Sequence, residues 1–289
     1  APATGPTAVR SYGEAGSYTV SLTVPDDDDV TNTKPAGVSV VDPNQTPTVA
    51  FRAAAATNVN ATIARVTVPA SVLPGDQLVL LSTVNRLDST VTGPAGWTLL
   101  DSASNTTATV QTFAWTKQAT AGDAGTSVAV GNSAVAKTAV QLVAYSGAQS
   151  VSAHQVAIDT VSRAERTTPV VPVGAPGSAL VSYWADKASD TGPWTLPAGV
   201  TQRNQTIGSG SGNITAAVAD VGPVGIGTAG GLTATADSAN RRGVVWSIVV
   251  APDTAPQNAA PTASFTSSCT GLSCTFDAAN SADTDGTIS

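Results

Sequence analysis

LPGDQLVLLSTV, residues 73–84, and APGSALVSYWAD, residues 175–186, decide how this chain is read. Each sets Pro-Gly ahead of a short apolar run: Pro74 and Gly75 answer Pro176 and Gly177, and Leu78 answers Leu180. Proline presets φ for one central position of a tight turn and glycine accepts the left-handed conformation of the next, so both dipeptides predict a turn that feeds a strand. The likeness extends outward at a spacing of roughly 100 residues, the mark of an internal repeat. GPAGWTLLDS is echoed by LPAGVTQRNQ, where Pro94, Ala95 and Gly96 answer Pro197, Ala198 and Gly199. TTATVQTFAWTKQATAGDAGTSVAV is echoed by SGNITAAVADVGPVGIGTAGGLTATAD, and KTAVQLVAYSG by RRGVVWSIVVAP.

Nearly every apolar run is short, β-branched and punctuated by Gly, Pro or Asn, which predicts strands at ARVTVPA, QLVLLSTV, TVQTFAWTK, TSVAVGN, AVQLVAYSG, ALVSYWAD, NITAAVAD, LTATAD and GVVWSIVVAP. Only the Ala-rich FRAAAAT and the segment HQVAIDTVSRAE have helix-compatible composition. Each copy then supplies about four or five strands, too few to bury both faces alone, so the copies are expected to pack face to face as one sandwich over residues 51–252. Phe113 with Trp115, and Tyr183 with Trp184, read as one aromatic on each face of a strand.

Composition narrows the function. The chain has 289 residues and only 11% charged side chains, with 13 Lys and Arg against 20 Asp and Glu for a net charge of −7. Such a surface repels phosphate backbones, and the few cations are scattered, so no nucleic acid is expected. No run of 18 apolar residues occurs, which argues against membrane insertion, and APATGPTAVR lacks the features of a signal peptide. The expectation is a soluble chain whose export signal or anchor, if any, lies outside it. Cys269 and Cys274 flank a turn, far from the single histidine, His154. A disulfide fits this spacing better than zinc and points to an oxidising, extracellular setting, secreted or on the cell surface.

The ends read differently. SYGEAGSYTVSLTV places Tyr18, Val20, Leu22 and Val24 at alternate positions, and AGVSVVD follows after VPDDDDVTNTK, so residues 9–42 predict a hairpin with an acidic loop. PTASF and SSCTGLSCTFDAA predict a second hairpin near the carboxyl end. The pattern Tyr12, Gly16, Tyr18, Val20, Leu22, Val24 resembles the closing strands of a PKD domain, an immunoglobulin-like sandwich, while PTASF, the Cys hairpin and NSADTDGTIS resemble its opening strands. The family's central Trp-Asp-Phe-Gly-Asp-Gly stretch is missing. The resemblance implies the back half of one PKD-like domain at 1–43 and the front half of another at 260–289, flanking a module similar to the duplicated jelly rolls of bacterial surface proteins and phage fibres. The fold class expected is therefore all-β, a central two-repeat, jelly-roll-like β-sandwich with partial immunoglobulin-like domains at both termini. One period of a longer chain is the leading expectation; an arbitrary or proteolytic cut, and completion by neighbouring copies through β-strand addition, stay open. The proline-bearing stretches VVDPNQTPTV and APDTAPQNAAPT predict semi-extended linkers.

Catalytic signals are sparse. A hydrolytic triad would need His154, and GSGSG at 208–212 fits the letters of a nucleophile elbow inside a Gly/Ser loop. Glycoside cleavage needs two opposed carboxylates, yet the only glutamates are Glu14 and Glu165, and Asp76, Asp101, Asp123, Asp186, Asp190, Asp220 and Asp237 read as turn residues. No enzyme is expected. Asp26, Asp27, Asp28 and Asp29, with Asp283 and Asp285, offer oxygens to calcium without EF-hand spacing, or else form acidic tips that discourage edge pairing. No other cofactor is implied. Trp115 and Trp246 read as core; Trp97 and Trp194, beside the two Pro-Ala-Gly turns, are the candidates for stacking on a glycan. These features predict a noncatalytic extracellular structural or adhesive module partnered by copies of itself or adjacent domains. The alternative is a carbohydrate-binding accessory module of a secreted polysaccharide hydrolase.

Overall fold

The computed structural model describes residues 16–25, 31–40, 47–189, 192–253, 264, 266–270 and 273–277. Every regular element among them is a strand, and every pairing is antiparallel. The chain divides into two compact units, one of Ala1–Thr46 with Pro256–Ser289 and one of Pro47–Ala255. In the first, β1 (Gly16–Pro25) runs against β2 (Thr31–Val40), from Gly16 opposite Val40 to Pro25 opposite Thr31.

In Pro47–Ala255, β3 (Ala50–Thr67), β4 (Gln77–Val84), β5 (Val91–Thr92), β6 (Thr98–Asn105), β7 (Val110–Gln118) and β8 (Ser127–Ser146) form one sheet in the order β3-β8-β4-β7-β6, with β5 joined to β8. There follow β9 (Ala148–Asp159), β10 (Arg163–Thr167), β11 (Val170–Val173), β12 (Ser178–Ala188), β13 (Thr201–Ile207), β14 (Asn213–Val224), β15 (Gly227–Gly230), β16 (Thr233–Asn240) and β17 (Gly243–Pro252). Their main sheet has the order β9-β17-β12-β14-β13, which matches the first strand for strand. The long β3 and β8 correspond to β9 plus β10 and to β16 plus β17. Main-chain geometry agrees: Gly75 and Gly177 have φ of 88° and 80°, and Gly96 and Gly199 have 77° and 85°. Asp76 N–H donates to Leu73 O at 3.1 Å, closing the turn that glycine at its third position allows.

Side-chain alternation explains why β4 is buried along its whole length although a strand with one wet face would alternate. Val79 and Leu81 of β4 join Val181 and Tyr183 of β12, with Trp246 and Ile248, in an inner core between the two sheets. Their neighbours Leu78 and Leu80 point the opposite way, into an outer core with Val66, Val128 and Trp115. In the second repeat Trp184 packs with Trp194 and Ala234, and Leu180 with Val171 and Val249, in two outer clusters. Two facing sheets therefore account for the inner core only. The far parts of β3 and β8, and the pairs β10–β16 and β11–β15, supply residues that cover the outer faces.

Three local expectations change. FRAAAAT is part of β3, where Ala54 packs on the inner core and Ala55 on the outer one, and small side chains let β3 lie against β13 and β14. HQVAID belongs to β9 and RAE to β10, so tertiary packing overrides helix-compatible composition. Phe113 and Trp115 are two apart in one strand and so share a face, stacked at 5.4 Å and 11°, whereas Tyr183 and Trp184, being adjacent, do face opposite cores.

Towards the carboxyl end, β18 (Thr266–Thr270) pairs with β19 (Ser273–Asp277), setting Cys269 opposite Cys274. Asp26–Asp29, Asp283 and Asp285, Glu14, and most of the two proline-bearing linkers lie outside the described residues.

Candidate functional site

Trp97 follows the Gly96 turn, its N–H donating to Pro94 O at 3.3 Å, and is half-buried against the outer core of the first repeat. With Pro94, Ala95, Lys117 and Asp123 it lines a cavity of about 230 Å³. Lys117 is ion-paired with Asp123, which also accepts from Thr120 N–H and Oγ1, each at 2.7 Å. Burial opposes ionisation of Asp123, but these donors outweigh it and hold the carboxyl below its usual value. Trp194 is placed differently. It is 3% exposed, its indole N–H donates to Thr215 O at 3.3 Å, and it packs against Trp184 and Ala217, so any stacking on a sugar falls to Trp97.

His154 sits on β9 with Nε2 3.6 Å from Asp101 Oδ2 of β6, both partly exposed. Among the described residues no hydroxyl or thiol hydrogen-bonds His154, and no three His, Cys, Asp or Glu side chains cluster as metal ligands. Asp76 and Asp123 do serve turns, but Asp186 and Asp220 lie within strands and are buried, held by Asn240 and by Arg203 respectively. The Gly/Ser segment at 208–212 joins β13 to β14, and Lys137 Nζ donates to Ser209 O and Ser211 O at 2.7 and 2.8 Å.

Polar side chains concentrate where the repeats meet. Tyr183 and Thr83 hydroxyls lie 2.9 Å apart, and Trp246 Nε1 donates to Thr112 Oγ1 at 3.0 Å. Gln141 Nε2 crosses in the opposite sense to Thr206 Oγ1 at 3.1 Å. Tyr145 donates to Asp220 at 2.8 Å; Arg203 Nε donates to both oxygens of Asp220 at 2.8 Å and covers the Phe51 ring at 3.8 Å. Burial first, then the Asp220 charge, pushes the Tyr145 phenol well above its usual value, so it stays a neutral donor. Asn85 of the first repeat reaches Gly212 O at 2.8 Å, and Lys187 of the second reaches Thr109 O at 3.0 Å. Each spans to the hairpin loop of the other repeat.

At the corner where β16 passes into β17, a cavity of about 440 Å³ is lined by Lys187, Arg241, Arg242, Ser162, Ser211 and Ser238, among others. Asp186 opposite Gly243 ends the β12–β17 ladder, and Lys187 N–H donates to Arg242 O at 3.1 Å. The corner is pinned from beneath by Arg166, fully buried, which donates to Asp159 Oδ2 at 3.0 Å and Asn240 O at 2.5 Å. Asn240 in turn donates to Asp186 at 2.5 Å and accepts from Arg242 N–H at 2.8 Å. Reading the cations as scattered missed this grouping, because Lys187 and Arg241 are brought together only by strand pairing. The one visible signal was RRG standing where the other copy has AKT.

No protein-family model matches the chain, and no curated protein or solved structure does either.

Proposed function

We propose that this chain is a noncatalytic extracellular structural or adhesive module, secreted or displayed on a cell surface, forming one period of a longer multidomain or fibre-forming protein. The observation that carries the reading is the seal between the repeats: an inner apolar core ringed by crossing hydrogen bonds, a rigid block suited to bearing load rather than to opening a cleft. Its partners are further copies of itself or adjacent domains of the same chain. The PKD-like, immunoglobulin-like ends and the jelly-roll-like centre belong to this proposal, as does a Cys269–Cys274 disulfide, for which the facing register of β18 and β19 gives support. Electron microscopy of the native material tests it: a periodic strand is expected, and isolated globules would refute it.

A second reading, a carbohydrate-binding accessory module of a secreted polysaccharide hydrolase, draws on the half-buried Trp97 beside the Lys117–Asp123 pair. Its test is polysaccharide binding lost on Trp97→Ala. Calcium at Asp26–Asp29 or Asp283 and Asp285 is tested by thermal unfolding with and without millimolar calcium; an unchanged midpoint removes it.

A further inference from the structure

We propose that the corner of the second repeat is a binding site for an acidic saccharide, with Arg241 and Arg242 receiving its sulfate or carboxylate, Lys187 adding its positive charge beside them and the surrounding serines meeting its hydroxyls. The site goes beyond the structural reading and does not involve Trp97.

Cations are few in this protein, and in the Pro47–Ala255 unit most are spent. Arg52, Arg86, Lys117, Arg163, Arg166 and Arg203 each have a carboxylate partner. Arg241 and Arg242 have none among the described residues and meet at one cavity with Lys187, whose ammonium donates to Thr109 O at 3.0 Å and to Thr109 Oγ1 at 2.7 Å.

Comparison of the repeats sharpens the point. Val84 lies opposite Thr138 and Asp186 opposite Gly243, and the next residues repeat the same main-chain bond, Asn85 N–H to Lys137 O at 3.0 Å and Lys187 N–H to Arg242 O at 3.1 Å. Arg242 therefore stands where the first repeat has Lys137, and Arg241 where it has Ala136. Lys137 uses its ammonium to hold the carbonyls of Ser209 and Ser211. The side chains of Arg241 and Arg242 make no hydrogen bond or ion pair among the described residues. The first repeat also places an uncharged Asn85 where the second has Lys187.

Lys187 and Arg242 are close enough to repel, and the nearby carboxylate, Asp88, is shared with Arg86. Burial, then Arg242, lowers the Lys187 ammonium below its usual pKa; Asp88 offsets this in part. An anion between Lys187 and the arginines relieves that repulsion, and the Arg166–Asn240–Asp186 bonds hold the corner in place before it arrives. A cavity of about 440 Å³ exceeds one sulfate, and its hydroxyl-bearing walls suit sugar.

The test is calorimetric titration of the full chain with four probes: a sulfated tetrasaccharide, a uronic-acid tetrasaccharide, a neutral tetrasaccharide and inorganic sulfate. Saturable binding of at least one acidic tetrasaccharide is expected, weakening with salt, with none for the neutral one. Two lost charge-assisted contacts predict that Arg241→Ser with Arg242→Ser weakens binding about tenfold or more, without moving the unfolding midpoint. Arg65→Ser, an exposed cation elsewhere on β3, is expected to change it less than about twofold. No saturable binding, equal binding of the neutral probe, equal affinity for sulfate alone, or an equal loss with Arg65→Ser each overturns the proposal. None of these outcomes bears on the periodic strand seen by microscopy, so the two readings fail separately.

Discussion

Gly243→Ala is a single methyl aimed at Arg166, a fully buried charge. A Cβ at Gly243 would sit 2.1 Å from Arg166 Nε and 2.5 Å from its Cδ, well inside van der Waals contact. The backbone there is not left-handed, so by itself the replacement favours folding by about 0.4–1 kcal/mol. Arg166 must yield, and it is fully buried, with bonds to Asp159 Oδ2 (3.0 Å), Val161 O (3.1 Å), Asn240 O (2.5 Å) and Asn240 Oδ1 (3.2 Å). Clearing the methyl needs a shift of about 1 Å, which breaks at least one charge-assisted bond, about 1.5–3 kcal/mol. Residual overpacking adds about 1–3 kcal/mol. The net expectation is a loss of about 2–4 kcal/mol. Urea unfolding followed by tryptophan fluorescence measures it, since Trp184 Nε1 donates to Arg166 O at 3.1 Å. In an Arg166→Met background the same methyl meets a pliable side chain, so most of its cost should vanish, giving a coupling of about 1.5 kcal/mol or more. A cost for Gly243→Ala below about 0.5 kcal/mol, or an equal cost in both backgrounds, would refute the reasoning.

Further expectations concern the turns, the acid limit and the cysteines. Gly75 and Gly177 share a conformation but not surroundings: a Cβ at Gly75 meets nothing within 4 Å, while one at Gly177 lies 2.1 Å from Pro47 O. Gly75→Ala should cost only backbone strain, about 1–2 kcal/mol, and Gly177→Ala clearly more; equal urea midpoints for the two variants would contradict this. Burial resists ionisation of Asp159, but Arg163, the Val161 N–H and Arg166 together hold its carboxyl below the usual value. A depressed folded pKa makes its contribution complete above the unfolded value near 4 and lost as pH falls through the folded one, so stability should hold from neutrality to about pH 5 and drop below about pH 4. Asp159→Asn should flatten part of that drop while costing about 3 kcal/mol at neutral pH by leaving Arg166 without its carboxylate; parallel acid profiles would show that the drop arises elsewhere. Protein prepared under oxidising conditions should titrate no free thiol at Cys269 and Cys274, and reduction should cost the hairpin about 2 kcal/mol of local stability. Recovery of two free thiols without reductant would exclude the bridge.

The all-β class was open to reading because the β-branched runs and Pro-Gly turns act locally. The strand candidates fall on strands, and the glycines paired by sequence share their positive φ. What the sequence hid is non-local. An apolar run such as QLVLLSTV is compatible with one wet face or none, and only the outer layers show why all eight residues are buried. Ala53–Ala56 carries helix propensity that pairing with β8 overrides. Trp97 and Trp194 look equivalent beside their Pro-Ala-Gly turns, yet Trp194 stands before its turn and Trp97 after it, so only Trp194 ends inside a core. Nothing in the polar stretch RAERT marks Arg166 for burial, and no spacing announces that Gly243, far along the chain, makes room for it.

The two copies also show why charge could gather at one corner and not at its counterpart. Tyr183, Gln141 and Trp246 couple the repeats through their inner faces, so changes there strand buried donors and are costly. The corners lie outside that seal. In the first repeat the corner keeps Ala136 and spends Lys137 on the neighbouring loop, which leaves no free cation; in the second, Arg166 fills the space that Gly243 vacates and fixes the main chain, so Arg241 and Arg242 are carried on a rigid support without helping to build it. This division predicts different responses to substitution. Replacing Arg241 and Arg242 should change what the corner binds and leave folding alone, whereas replacing Arg166 should lower stability and weaken binding together, because the support that presents the two arginines is loosened.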